Sequence, residues 1–240
     1  MNNDAPMYVS ISFILIVGAV FFYLIFIFND ALKRDNSNQS SRKIRFFAIG
    51  LLAWFTLISF LAYHQFFLNV ETHPQKIALI IAPPLVTVVS FILFYRKTSL
   101  FKSISLEKIT YLQSFRLGIE SVIFYGLLKA GLIPELMTLS GRNPDILVGI
   151  SAPFIAFFYS RKIISSKVLL LWNIFSLLLL INIVTNAVLS IPTPFQMFGL
   201  DQPNVAVLHF PFILLPSFLV VTAFFGHLLS ISRLLSHSID

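Results

Sequence analysis

A small set of polar side chains stands in stretches of this sequence otherwise suited only to hydrocarbon. Gln113, Arg116 and Glu120 fall at i, i+3 and i+7, which puts them on one face of a helix. Arg116 and Glu120 then read in two ways. They form an i, i+4 ion pair that lets the helix be buried, or they relay a proton or hold a substrate at the centre of a bilayer. Asn182, Asn186 and Ser190 make a second stripe at i, i+4 and i+8. Such asparagines either hydrogen-bond a neighbouring helix or line a pocket. Asn173, nine residues before Asn182, points to the opposite side.

Four loop strings add further polar groups. Ile133-Pro134-Glu135-Leu136-Met137 and Thr193-Pro194-Phe195-Gln196-Met197-Phe198-Gly199 each read as a short helix opened by proline and closed by glycine. Asn143-Pro144-Asp145 and Asp201-Gln202-Pro203-Asn204 read as starts of longer helices. The two short helices either lid an outward cavity lined by Glu135, Arg142, Asp145, Asn182, Asn186, Gln196 and Asp201, or anchor their loops at the interface. His209 joins this side together with His64 and His73, while His227 and His237 lie toward the other end. No histidine has i, i+4 spacing to a second ligand and there is no HExxH motif, so no metal is expected. The chain contains no cysteine, which removes disulfides, thiolate metal sites and thiol nucleophiles together. No cofactor is expected either: no lysine follows Lys167 to form a retinal Schiff base, and the histidine pairs of a membrane haem site are missing.

The elements that must carry these residues follow from composition. Of 240 residues, 57% are hydrophobic and 11% charged, and the mean hydropathy is +0.87. A soluble domain carries about a quarter charged residues. The expected fold is therefore an all-α, polytopic membrane bundle forming a single domain over residues 1–240. Seven apolar runs approach the ~20 residues a bilayer crossing needs: 8–28, 44–68, 77–96, 106–131, 145–161, 167–190 and 205–231. Pro83-Pro84, Pro153, Pro211 and Pro216 interrupt three of them. The first run lacks a basic leader region and reads as a span rather than a cleaved signal.

Lysine and arginine set the orientation. Lys33, Arg34, Arg42, Lys43 and Arg45, then Arg96, Lys97, Lys102, Lys108 and Arg116, then Arg161, Lys162, Lys167 and finally Arg233 fall on one side. Only Lys76, Lys129 and Arg142 fall on the other. Seven helices with the N-terminus outside and the C-terminus cytoplasmic satisfy every loop. The net charge of +7 is thus an orientation signal and asks for no nucleic acid. The sequon Asn38-Gln39-Ser40 falls in an expected cytoplasmic loop and is a chance match.

The strings Pro134–Thr138, Gly141–Leu147, Leu170–Asn173, Pro192–Gln196 and Asp201–Phe212 resemble a group of bacterial multi-pass membrane proteins to which no activity is assigned. The resemblance covers about Leu117–Leu235. It implies the bacterial inner (plasma) membrane and transfers no functional residue.

Three functions compete. The first is binding or transport of a small solute or lipid through an outward cavity among helices four to seven, using the polar residues above. The second is a structural or accessory subunit in which those residues only hold helices together. The third is an intramembrane enzyme acting on a lipid or isoprenoid, with Glu120, Asp145, Asp201, His209 and His227 as acid/base candidates. Membrane lipids are the expected partners in each case; protein partners have no sequence signature. Single cysteines placed at Ser40, Ser140 and Ser165 should react with an impermeant thiol reagent from inside, outside and inside respectively. Any reversal overturns the orientation.

Overall fold

The computed structural model describes residues 5–35 and 40–236. Asn38 and Gln39 of the sequon, together with Asp4, His237 and Asp240, lie outside the described residues. The fold is all-α, with no strand among the described residues. Five helices are long and apolar enough to cross a membrane. These are α1 (Met7–Arg34), α2 (Ser40–Tyr63), α3 (Lys76–Tyr95), α9 (Ser166–Val188) and the continuous stretch Leu215–Ser236, whose last part is α10 (Val220–Ser236). The short helix α4 (Ser99–Ser103) follows α3.

The other two expected spans take different forms. Residues 106–129 make a broken helix: α5 (Leu106–Leu112), α6 (Phe115–Gly118), a π-helical turn Ile119–Phe124 and α7 (Tyr125–Lys129). The break at Gln113-Ser114 is over-tight. Gln113, Ser114, Arg116 and Leu117 each donate their N–H three residues back, to Thr110, Tyr111, Gln113 and Ser114. The wide turn that follows is of the kind that accompanies functional sites. Together the two irregularities set the direction in which Arg116 and Glu120 project.

This broken helix runs antiparallel to α1 over its full length. Lys108 Nζ meets Asp30 Oδ2 at 2.8 Å at one end. A side-chain carbon at Gly118 would touch Ile16 midway, and one at Gly126 would collide with Val9 at the other end. The broken helix therefore reaches as far as α1 does. Gly131, at φ +75°, stops it: Leu132 N–H bonds Leu127 O at 3.0 Å and Gly131 N–H bonds Leu128 O at 3.0 Å, a left-handed cap that suits glycine.

The fifth expected span is α8 (Ile146–Ser160), only 15 residues, or ~22 Å at 1.5 Å per residue. It begins beside Arg116 and Leu117, half-way along the broken helix. Gly149 permits this: a Cβ there would meet the backbone of Leu117. The last span begins later than expected. Residues 205–214 form a 3₁₀ turn (Ala206–Leu208) and a buried bend through the cis peptide Phe210–Pro211, and regular helix resumes only in the π-helical turn Leu215–Leu219. Irregular backbone inside an apolar bundle must find its own partners. Here Val205 and Ala206 N–H both bond Leu132 O, at 3.0 and 3.1 Å, and Ile213 N–H bonds His209 O at 2.8 Å.

The string Asp201–Asn204 is likewise not a helix start. Gln202 Nε2 donates to Leu128 O and Ile133 O, and Asn204 donates to Ser190 O and Ala187 O, so the two side chains close the ends of α7 and α9. The string 193–199 forms turns rather than a helix. Its Thr193 hydroxyl takes the Phe195 N–H at 3.1 Å, a local bond that competes with helix formation. The string at 134 does form a short 3₁₀ helix, Glu135–Met137.

The helix Leu215–Ser236 is the hub, with most of its residues buried, whereas α2 and α3 bury few. Around it Phe28, Phe47, Phe91 and Phe225 form an aromatic cluster with ring centroids 4.5–6.0 Å apart. At one end of the bundle Asp30 binds Arg34 and Lys108, and Arg233 donates to Ile104 O. The ends of α1, α5 and α10 are thereby joined on one side. Gly149→Ala should cost about 1–3 kcal/mol of stability in detergent, because the backbone of Leu117 must move. Gly18→Ala, with open space around it, should cost under about 0.5 kcal/mol. Equal effects would contradict the close α6–α8 contact.

Candidate functional site

Arg116, Glu120 and Asn173, three of the polar residues that the sequence places in hydrocarbon, meet in one network inside the bundle with Asn143, Asp145 and His227. Arg116 Nη1 donates to Asp145 Oδ1 at 3.0 Å, and both side chains are almost completely buried. The expected i, i+4 pairing with Glu120 does not form. Arg116 turns toward the start of α8 instead, because α8 begins at its own level. Asn143 organises that start: its Oδ1 accepts the Asp145 N–H at 3.1 Å, and its Nδ2 donates to Glu120 Oε2 at 2.6 Å and to Met137 O at 2.8 Å.

The other side of Arg116 leads into α9 and α10. Its Nη2 lies 3.1 Å from His227 Nε2, and His227 Nδ1 lies 2.9 Å from Asn173 Oδ1. Asn173 Nδ2 donates to Leu169 O at 2.9 Å, which turns its oxygen toward the ring. An oxygen can only accept, so Nδ1 carries the proton and Nε2 accepts from the guanidinium. His227 is neutral in this arrangement. Trp172 leans on the same ring with centroids 5.7 Å apart and donates its indole N–H to Ser151 at 3.0 Å. One network thus ties the broken helix, α8, α9 and α10.

A crevice opens from this network. It lies between α3, the π-helical turn of the broken helix, α9 and the hub helix. Its walls are apolar: Ile77, Ile80 and Ile81 of α3, Leu180, Val184, Ala187 and Val188 of α9, Leu215, Val220 and Ala223 of the hub. Polar groups enter at Arg116, Glu120 and Asp145, and at Asn204.

Of the ten residues expected to bind substrate, Arg116, Glu120 and Asp145 lie together here. The other seven sit in or near the loops. Asn182 is exposed and donates to Arg142 O at 2.8 Å, and Asn186, buried, donates to Asn182 at 3.3 Å. Arg142 lies over the Phe198 ring at 5.0 Å, and Gln196 donates to the carbonyls of Phe198 and Gly199 at 3.0 Å. Glu135 and Asp201 are exposed and His209 is half-buried. His227, expected only as an acid/base candidate, joins the site, and so do Asn143, Asn173, Trp172 and Asn204, which were not expected to bind substrate. Two signals pointed that way: asparagine before proline at a helix start, and a histidine inside an apolar run. No group of three or more His, Cys, Asp or Glu side chains that could hold a metal occurs among the described residues.

Replacing Asp145 by leucine strands a buried guanidinium and should cost about 3–5 kcal/mol in reversible denaturation in micelles. Arg116→Met combined with Asp145→Leu should recover much of that loss. Additive losses would show that the two side chains are not coupled. Comparisons with family models, with curated proteins and with solved structures find no match to this chain.

Proposed function

We propose that this chain is a seven-span protein of the bacterial inner membrane, N-terminus outside and C-terminus cytoplasmic, that binds or transports a small lipid-like molecule through the crevice beside Glu120. The crevice carries this reading: it is apolar along its walls and ends on buried charge, the polarity profile of one amphipathic molecule. Broken helices beside such a site are the form that membrane binding sites take when backbone and side chains must meet a solute at depth.

Two observations support the count of seven. The broken helix 106–129 keeps pace with α1 from end to end, and α8 packs alongside it at Gly149 and Leu117. The orientation is supported by the joined ends of α1, α5 and α10, where Asp30, Lys108, Arg34 and Arg233 gather on the expected cytoplasmic side. The strings shared with bacterial multi-pass proteins support the choice of membrane. A structural role is favoured for one part of the network, since Arg116, Asp145, His227 and Asn173 bond one another.

Val184 lines the crevice on α9, whereas Leu178 on the same helix is 59% exposed and lies outside it. Val184→Trp should fill the crevice and strip co-purifying lipid-like molecules from protein extracted in native membrane. Leu178→Trp should leave them in place. Equal retention in both variants, measured by mass spectrometry of the extracts, would refute the crevice as the binding site.

A further inference from the structure

Arg116 and Asp145 make one ion pair at the crevice, which leaves a second carboxyl group, Glu120, with no cation of its own. Arg116 brings one positive charge, and two carboxyl groups, Asp145 and Glu120, share its surroundings. Asp145 holds the guanidinium directly at 3.0 Å. His227 adds no charge, because its Nε2 lone pair is taken by Arg116 and its Nδ1 proton by Asn173. Asn143 gives Glu120 a neutral amide.

The other cations on the surrounding elements do not line the crevice: Arg233 donates to Ile104 O, and Lys167 is exposed at the start of α9. Lys76 lies over the Phe66 ring at 4.5 Å, Lys129 over Tyr125 at 4.4 Å, and Lys108 binds Asp30. Arg116 is the one cation that lines the crevice among the described residues. A carboxylate left without a counter-charge in an apolar interior is costly, and a group that neutralises it recovers that cost on binding.

We propose that the crevice takes an amphipathic cation, a long-chain molecule whose ammonium group sits on the Glu120 carboxylate. Its hydrocarbon lies along Val184 and Val188 of α9 and Val220 and Ala223 of the hub helix. An anionic head would instead meet two carboxyl groups around a guanidinium that is already paired. This inference rests on the crevice reading above and adds the sign of the head group.

The test uses the full chain in nanodiscs of phosphatidylcholine with three photoreactive probes: a C12 amine, alcohol and carboxylic acid, each with a diazirine in the tail. The amine should label the α9 and hub-helix peptides roughly tenfold more than the other two, a ratio that corresponds to about 1.4 kcal/mol. Glu120→Gln should erase that preference, and Glu120→Asp should restore part of it. Equal labelling by all three probes in the unaltered protein would overturn the charge assignment while leaving the crevice standing, and needs no variant to fold. Labelling of the crevice peptides by none of them would overturn both. An amine preference that survives Glu120→Gln would place the charge elsewhere and also refute the proposal.

Discussion

The buried ion pair between Arg116 and Asp145 is the contact around which the rest of this structure is arranged. A guanidinium in the middle of an apolar bundle must have a counter-charge and several acceptors. Its carboxylate comes from the residue just before α8, so α8 has to begin at that depth, and Asn143 and Asp145, which lead into it, are buried. The short α8 is a consequence: a helix that starts beside Arg116 needs only the remaining depth to leave the bundle. Gly149 then lets the two backbones close up, and Asn143 satisfies the polar groups at the helix start. The same guanidinium fixes the proton on His227 and, through Asn173, holds α9 against α10.

That arrangement leaves Glu120 in a separate role. Once Asp145 supplies the counter-charge, the carboxyl one turn further along the broken helix faces the crevice with only an amide for company. The tight turn at Gln113-Ser114 and the wide turn after Gly118 have the same sense. They place Arg116 toward α8 and α10 and Glu120 toward Asn143 and the groove, which a regular helix with the two stacked at i, i+4 would not do.

The all-α character and the long apolar helices were legible from hydropathy, and spacing singled out Arg116 and Glu120, two side chains that the structure buries. Three features were not. Arg116 pairs with a residue 29 positions away, and no local pattern reports a partner at that distance. The stretch 205–214 reads as helix by composition, yet its first N–H groups, those of Val205 and Ala206, are held by Leu132 O. Asp201–Asn204 has the residue types of a helix start, but Gln202 and Asn204 use their amides to close two other helices. In each case the deciding partner is remote in sequence, and local propensity lost to a tertiary contact.

The most direct test of the central claim is an experimental structure of the full chain extracted with its native lipid and never exposed to detergent. The account predicts elongated density in the crevice between α3, α9 and the hub helix, its polar end within hydrogen-bond distance of Glu120. A crevice closed by side chains, with lipid confined to the outer faces of α2, α3 and α9, would contradict it.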